Sequence, residues 1–304
     1  MDPILAMRAF VRVVESGNFT LAAESLALPK GTVTKQIQSL EERVQSKLLN
    51  RTTRRVTVTP DGAAYYERVA RLLNDFDDLE SSMTNAQASP QGRLRIDVGS
   101  STAQLLIIPA LQTFCDKYPD IQVDLGVTDR PVDLLGENVD CVIRAGQLTD
   151  QSLVARRIAM LPFITVAAPS YLKRYGTPEH PRDLEKRHHV VGYFNTRTRR
   201  NFPHEFKRGD ESFELTLPYR VAVNEANAHF TSVLNGFGIS QVVSFQAEPY
   251  LARGELVQLL ADWRIEPLPM YVVYPPNRHL SPKVRAFVDW AADLFATHPQ
   301  LQGG

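Results

Sequence analysis

Apolar positions recur at helical spacing through the first 45 residues, then alternate briefly, then form one long helical stripe. Leu5, Phe10, Val13 and Val14 predict an inward face on a helix over residues 3–15. Ser16-Gly17-Asn18 breaks it, and Gly17 suits a positive φ at a helix end. Thr20 is the expected N-cap of the next helix, whose start would hold a DNA phosphate. From Phe19 to Val44 the chain reads as two short helices joined by the turn Ala27-Leu28-Pro29. Ala22 and Ala23 leave room for close packing. Val33, Ile37, Leu40 and Val44 share one face of the second helix. Its other face and first turn carry Lys30, Thr32, Thr34, Lys35 and Gln36, side chains that reach phosphates and base edges. A helix that docks by one face and offers short polar and basic groups on the other suits a major groove. Any helical hairpin has this spacing, so the following segments decide.

Val56 and Val58 alternate with Thr57 and Thr59, a strand pattern, and Leu48-Leu49-Asn50 is the expected partner strand. Between them a tip carries Arg51, Arg54 and Arg55, a wing suited to phosphates or a minor groove. The competing reading is a solvated charge cluster. Thr59-Pro60 starts a helix that runs to about Ala86. Tyr65, Val69, Leu72, Phe76, Leu79 and Met83 follow a heptad pattern along it. Such a seam needs a partner, either a second copy in a twofold dimer or the chain's own helix-turn-helix. Ala88-Ser89-Pro90-Gln91-Gly92 reads as a hinge. Beyond it, strands near residues 94–98, 121–127, 141–143, 153–168, 189–193, 213–217, 219–223, 239–243 and 271–274 alternate with helices. These helices include 132–137 and one capped by Ser281-Pro282. The pattern predicts a mostly parallel α/β sheet.

Net charge is zero, but its distribution is not even. Residues 1–60 carry 9 Lys+Arg against 5 Asp+Glu, and the remainder 25 against 29. A basic module on an acidic body fits a DNA-binding unit joined to an effector unit. The two cysteines, Cys115 and Cys141, sit in apolar settings without CxxC spacing and read as reduced thiols. No stretch approaches the ~18 apolar residues of a membrane span, and no signal peptide is read, so the expected location is the cytoplasm.

The ordered set Ala22-Ala23, Leu26, Val33, Ile37, Leu40-Glu41, Leu48-Leu49, Arg51, Arg55, Val58, Thr59-Pro60 and Gly62 resembles the LysR-type transcriptional regulators. Tyr118-Pro119, Asp140, Arg144, Gly146, Gly236 and Gly238-Ile239 extend the resemblance over nearly the whole chain. The resemblance implies a winged helix-turn-helix (1–60), a linker and dimerisation helix with hinge (61–90), and an α/β effector domain (91–304) like a periplasmic binding protein. Lobe I of that domain is expected at about 91–161 and 265–304, lobe II at about 162–264. It also implies double-stranded DNA with a pseudo-palindromic site, a small effector, RNA polymerase, and homodimers or homotetramers as partners. Pro29, Lys30, Gly31, Thr32 and Thr34 stand where the family often has Ser or Gln, which bears on the bases read.

In open α/β sheets ligands sit outside the carboxyl ends of strands. Ser100, Ser101 and Thr102 follow the first strand there, where hydroxyls and free N–H groups would seat a carboxylate; simple helix capping is the alternative. Thr128 and Arg144 follow the next two strands. Asn195, Thr196 and Asn224 would face them from the second lobe, with Phe163 as a wall or as core. The effector expected from this chemistry is a small organic acid or phenolic. No catalytic pair, metal-ligand spacing or cofactor motif is read: His188-His189 lacks partners, and Gly236-Phe237-Gly238 reads as a turn. A small-molecule enzyme with a helical N-terminal extension and a solute-binding protein are the competing classes.

Overall fold

The structure is a computed structural model that describes residues 2–51, 56–84, 89–134, 136–146, 153–276, 280–298 and 301. The chain forms two compact units, one of residues 1–88 with 136–138 and one of residues 89–135 with 139–304.

The N-terminal unit begins with α1 (Pro3–Ser16), α2 (Phe19–Ser25) and α3 (Lys30–Val44). Asp2 caps α1, and Gly17 ends it at φ 63°. Ala6, Ala9, Phe10 and Val13 of α1 bury against Ala22, Ala23, Val33, Ile37 and Leu40. The small residues let the three helices approach, and Val33, Ile37 and Leu40 form the buried stripe that their spacing predicts. β1 (Leu49–Arg51) and β2 (Val56–Val58) pair antiparallel. α4 (Pro60–Thr84) follows. Thr59 fastens its start: the hydroxyl accepts from Gly62 N–H (2.9 Å) and donates to the Lys47 carbonyl (2.7 Å). A side chain at Gly62 would collide with the Leu48 carbonyl, so the strand and helix meet only at glycine.

In the C-terminal unit β3 (Gly92–Val98) leads into α5 (Ser100–Thr102), a π-helical stretch (Ala103–Ile107) and α6 (Ile108–Lys117). β4 (Ile121–Val127), β5 (Cys141–Ala145) and β6 (Val154–Leu161) follow. The chain then enters the second lobe with β7 (Phe163–Ala167), α7 (Pro169–Tyr175), a 3-10 turn (Pro181–Asp183) and α8 (Leu184–Arg187). That lobe continues through β8 (Val190–Tyr193), β9 (His204–Arg208), β10 (Glu211–Leu215), β11 (Tyr219–Val223) and α9 (Ala226–Leu234). β12 (Ser240–Val243), α10 (Ser244–Ala252) and β13 (Val257–Leu259) complete it. β14 (Leu268–Tyr274) and α11 (Pro282–Thr297) return to the first lobe.

Among the described residues the first lobe holds one five-stranded sheet, ordered β4-β3-β5-β14-β6. α6 and α11 pack on it through Phe114, Phe287 and Phe295. The sheet is mixed, where a mostly parallel one was expected. β3 runs parallel to β4 and β5, but β14 is antiparallel to β5 and β6. The reason is connectivity: β6 carries the chain out to the second lobe and β14 brings it back. In the second lobe β7 pairs antiparallel with β12 and β13, and β8 pairs parallel with β11. A parallel bridge, Val190 to Ile239, links these two sheets. A Cβ at Gly238 would stand 2.7 Å from the His189 carbonyl oxygen, so Gly238 lets this backbone crossing close.

Other expectations are corrected. Residues 132–137 do not form a helix among the described residues: Val139 N–H closes a turn on the Leu134 carbonyl, and Asn138 takes φ 55°. Six residues are too short for apolar spacing to separate a turn from a helix. Ser281 stands at the N-cap of α11, but its hydroxyl makes no capping bond and is buried without a partner. β9 and β13 were not foreseen. Among the described residues no helix is long and apolar enough to cross a membrane.

Candidate nucleic-acid interface and effector cleft

The candidate recognition element is α3. Its buried stripe leaves Lys30, Gly31, Lys35 and Gln38 exposed, with Thr32 and Thr34 half-buried. The Thr34 hydroxyl donates to the Lys30 carbonyl (3.0 Å), which turns its polar atom toward the helix. Gln36 lies on the flank of the stripe, its Oε1 buried without a partner, because residue 36 sits closer to the Val33–Ile37 face than to the opposite one. Gln38, which the sequence reading passed over, stands on the outer face. Thr20 is exposed but is not the cap of α2: Asn18 is, its carboxamide oxygen accepting from Thr20 N–H (2.7 Å) and Leu21 N–H (3.4 Å). Asn outranks a residue already inside the helix for this role. Arg54 and Arg55, the tip of the expected wing, lie outside the described residues, as does the side chain of Arg51.

Glu41 fixes the angle between α3 and the β hairpin. It is 3% exposed. Its Oε1 accepts from Leu48 N–H (3.0 Å) and Leu49 N–H (3.2 Å), and its Oε2 from Lys47 Nζ (2.9 Å). Burial alone would raise its pKa. The hydrogen bonds from Lys47, Leu49 and Leu48 and the lysine charge outweigh that, and the carboxyl is held below its ordinary value.

The stripe on α4 divides. Val69 is buried, and Tyr65 packs edge-to-face on Phe10 with ring centroids 5.6 Å apart. Asp77 pairs with Arg8 of α1. Leu72 and Leu79 are 53% and 60% exposed, and Phe76 is half-buried. The side chain of Met83 lies outside the described residues. One part of the seam thus serves the chain's own core, and another faces away from it.

In the C-terminal unit the carboxyl ends of β3, β4 and β5 bring Ser100, Thr128 and Arg144 to one place, but the expected free anion seat is filled. Asp129 Oδ1 accepts from Ser100 N–H (2.8 Å). Its Oδ2 accepts from the Ser100 hydroxyl (2.7 Å) and from Ala226 N–H (2.6 Å) at the start of α9. One carboxylate therefore bridges the helix starts of both lobes. Tyr193 stands near this carboxylate: burial, then the charges of Asp129 and Glu225, push the phenol well up against the opposing Arg144 charge. Arg144 itself pairs with buried Asp97 and approaches the Thr128 hydroxyl at 3.5 Å.

Ser101 is half-buried and Thr102 is buried within the helix start. Asn195 is folded into its own loop, its side chain accepting from Arg197 N–H (2.9 Å) and Thr198 N–H (3.1 Å). Thr196 is half-buried beside it and Asn224 is exposed. Phe163 packs on the first lobe's core and is a structural residue. Asp129, Tyr193 and Glu225 were missed. The only sequence signal for Asp129 was its place after β4, and an Asp before Arg-Pro reads as a turn residue. Cys141 is buried and Cys115 half-buried, both free; burial, with Asp140 adding, pushes the Cys141 thiol up and away from reactivity. Among the described residues no group of His, Cys, Asp and Glu could hold a metal ion.

Residues 4–63 match the family model for the bacterial regulatory helix-turn-helix protein, lysR family, and residues 87–296 match that for the LysR substrate binding domain. The chain belongs to the LysR-type transcriptional regulators. It is 37% identical to an HTH-type transcriptional repressor of Pseudomonas aeruginosa, over 99% of this chain and 95% of that one. It is 32% identical to the HTH-type transcriptional activator AaeR of Escherichia coli, over 97% and 94%. The full-length Vibrio cholerae virulence activator AphB superposes with a TM-score of 0.61 at 28% identity, covering 95% of this chain and 98% of that one. A LysR-type regulator binds DNA through the helix-turn-helix module and small effectors through the two-lobed domain, and members of the family form oligomers. Enzyme activity is not the family's function.

Proposed function

We propose that the protein is a cytoplasmic homodimer, assembling further to a homotetramer, that presents two α3 helices to successive major grooves of a pseudo-palindromic promoter site. The observation that carries this reading is the outer face of α3: Lys30, Gly31, Lys35 and Gln38 stand exposed on a helix whose other face is locked into its own core. Lys30, Thr32, Thr34 and Lys35 contact bases and phosphates, and Arg51, Arg54 and Arg55 hold the backbone beside them. Leu72, Phe76, Leu79 and Met83 of α4 meet their copies in a second subunit; Tyr65 and Val69 support the seam from within. In this division residues 1–60 read DNA, 61–90 pair subunits and 91–304 sense the effector. A small organic molecule enters between the lobes beside Ser100, Ser101, Thr102, Thr128 and Arg144, with Asn195, Thr196 and Asn224 across from them. It shifts the lobes, the spacing of the reading helices, and through them the contact with RNA polymerase. Such coupling requires different affinity for the two states.

The test is fluorescence anisotropy of the duplex upstream of the protein's own gene, across a salt series, beside a scrambled duplex. Binding with a steep negative salt slope and ~10³ discrimination supports the reading. Lys35→Ala is expected to weaken binding and to lower the salt slope by about 1 if it meets phosphate. Equal, weak binding to both duplexes, with no effect of Lys35→Ala, defeats it.

A further inference from the structure

We propose that Asp129 sets the ligand specificity of the effector cleft: its carboxylate fills the anion seat between the lobes, so the effector is a neutral or cationic small molecule that brings hydrogen-bond donors. The proposal rests on the reading of the cleft as the effector site. An incoming carboxylate needs donors, and those that meet between the two helix starts are engaged. Ser100 N–H and hydroxyl and Ala226 N–H all go to Asp129, at 2.6–2.8 Å. The next two N–H groups of α9, Asn227 and Ala228, go to the Glu225 carboxylate at 3.0 and 2.6 Å. Arg144, the nearby cation, is paired with Asp97. A second anion beside Asp129 and Glu225 meets like charge at the two helix starts, where Ser100, Ala226, Asn227 and Ala228 already donate to these carboxylates. A donor-bearing ligand meets unused carboxylate lone pairs, since each oxygen accepts more than one bond.

Removing the carboxylate opens the seat, and acetate is the probe that fits it. Thermal denaturation of the full-length protein is compared in sodium acetate and in sodium chloride of equal ionic strength. The wild-type midpoint is expected to be the same in both. Asp129→Ala is expected to melt lower in chloride and to recover by about 2–4 °C, saturably, in acetate. Ser100→Ala combined with Asp129→Ala loses that recovery. Asp129→Asn fills the space but cannot accept all three bonds; it is expected to melt lower in both salts without an acetate response. An acetate response in the wild type as large as in Asp129→Ala overturns the proposal. So does an Asp129→Ala protein indifferent to acetate, or a wild-type midpoint in Asp129→Asn. Acetate recovery in Asp129→Ala supports the filled seat whether or not operator binding responds. The effector reading fails separately, if no compound in a donor-bearing panel alters operator affinity.

Discussion

Glu41 and Asp129 each gather backbone N–H groups onto one carboxylate, and they differ in what they join. Glu41 ties α3 to a strand a few residues further along, is 3% exposed, and has a lysine among its partners. Asp129 joins the helix starts of two lobes, is half-buried, and has neutral donors. The first contact fixes a geometry inside one packed body. The second spans the cleft between two lobes, where it gathers three neutral donors at 2.6–2.8 Å. A reading head must hold its shape to select bases, while a sensor must have two arrangements close in free energy.

The largest expected effect is at Glu41. Glu41→Ala leaves the N–H groups of Leu48 and Leu49 without their acceptor, at a cost of about 2–4 kcal/mol. Thermal denaturation of the N-terminal unit should show it, with loss of operator binding; Glu41→Gln should retain part of both. If Glu41→Ala leaves both unchanged, the two carboxylates are not comparable.

Acid should separate the regions next. His204 is driven down to about 4 by burial and then by His229, and burial also lowers His229. A histidine lowered in the fold contributes stability that is full above its unfolded value near 6.5 and falls as pH drops from there toward the folded value. For His204 the loss is about 3 kcal/mol across that window. Glu41 behaves otherwise: its contribution is full above 4.5 and is lost only as pH falls through its lowered pKa. Between about pH 6.5 and 5 the second lobe should therefore weaken while the N-terminal unit holds. Circular dichroism melts at stepped pH check this; parallel weakening of both units contradicts it. The smallest effect is at Asp129, where exposure to solvent limits the loss in Asp129→Ala to about 1–2 kcal/mol.

How much of this was legible depended on the range of the interactions. Val33, Ile37 and Leu40 declare their helix face by spacing alone, and the Val56–Val58 strand declares itself by alternation, because both report local periodicity. β9 carries the same alternation in His204 and Phe206, but charged neighbours and its five residues hid it. The antiparallel β14 follows from where the chain crosses between lobes, which no window of residues contains. Asp129 meets Ala226 across 97 positions, and nothing near either residue announces the other. The positions around Ser100 were legible as a helix start facing a crevice, while the occupant of that start was not.

Native-state hydrogen exchange on the full-length protein tests the contrast most directly. The amides of Leu48 and Leu49 should exchange only when the N-terminal unit unfolds, with protection that tracks its stability in denaturant. The amides of Ser100 and Ala226 should exchange through a smaller, denaturant-independent opening, while those of β3 and β12 stay protected. Equal protection at all four amides would contradict the account, because Asp129 would then be as fixed a fastening as Glu41.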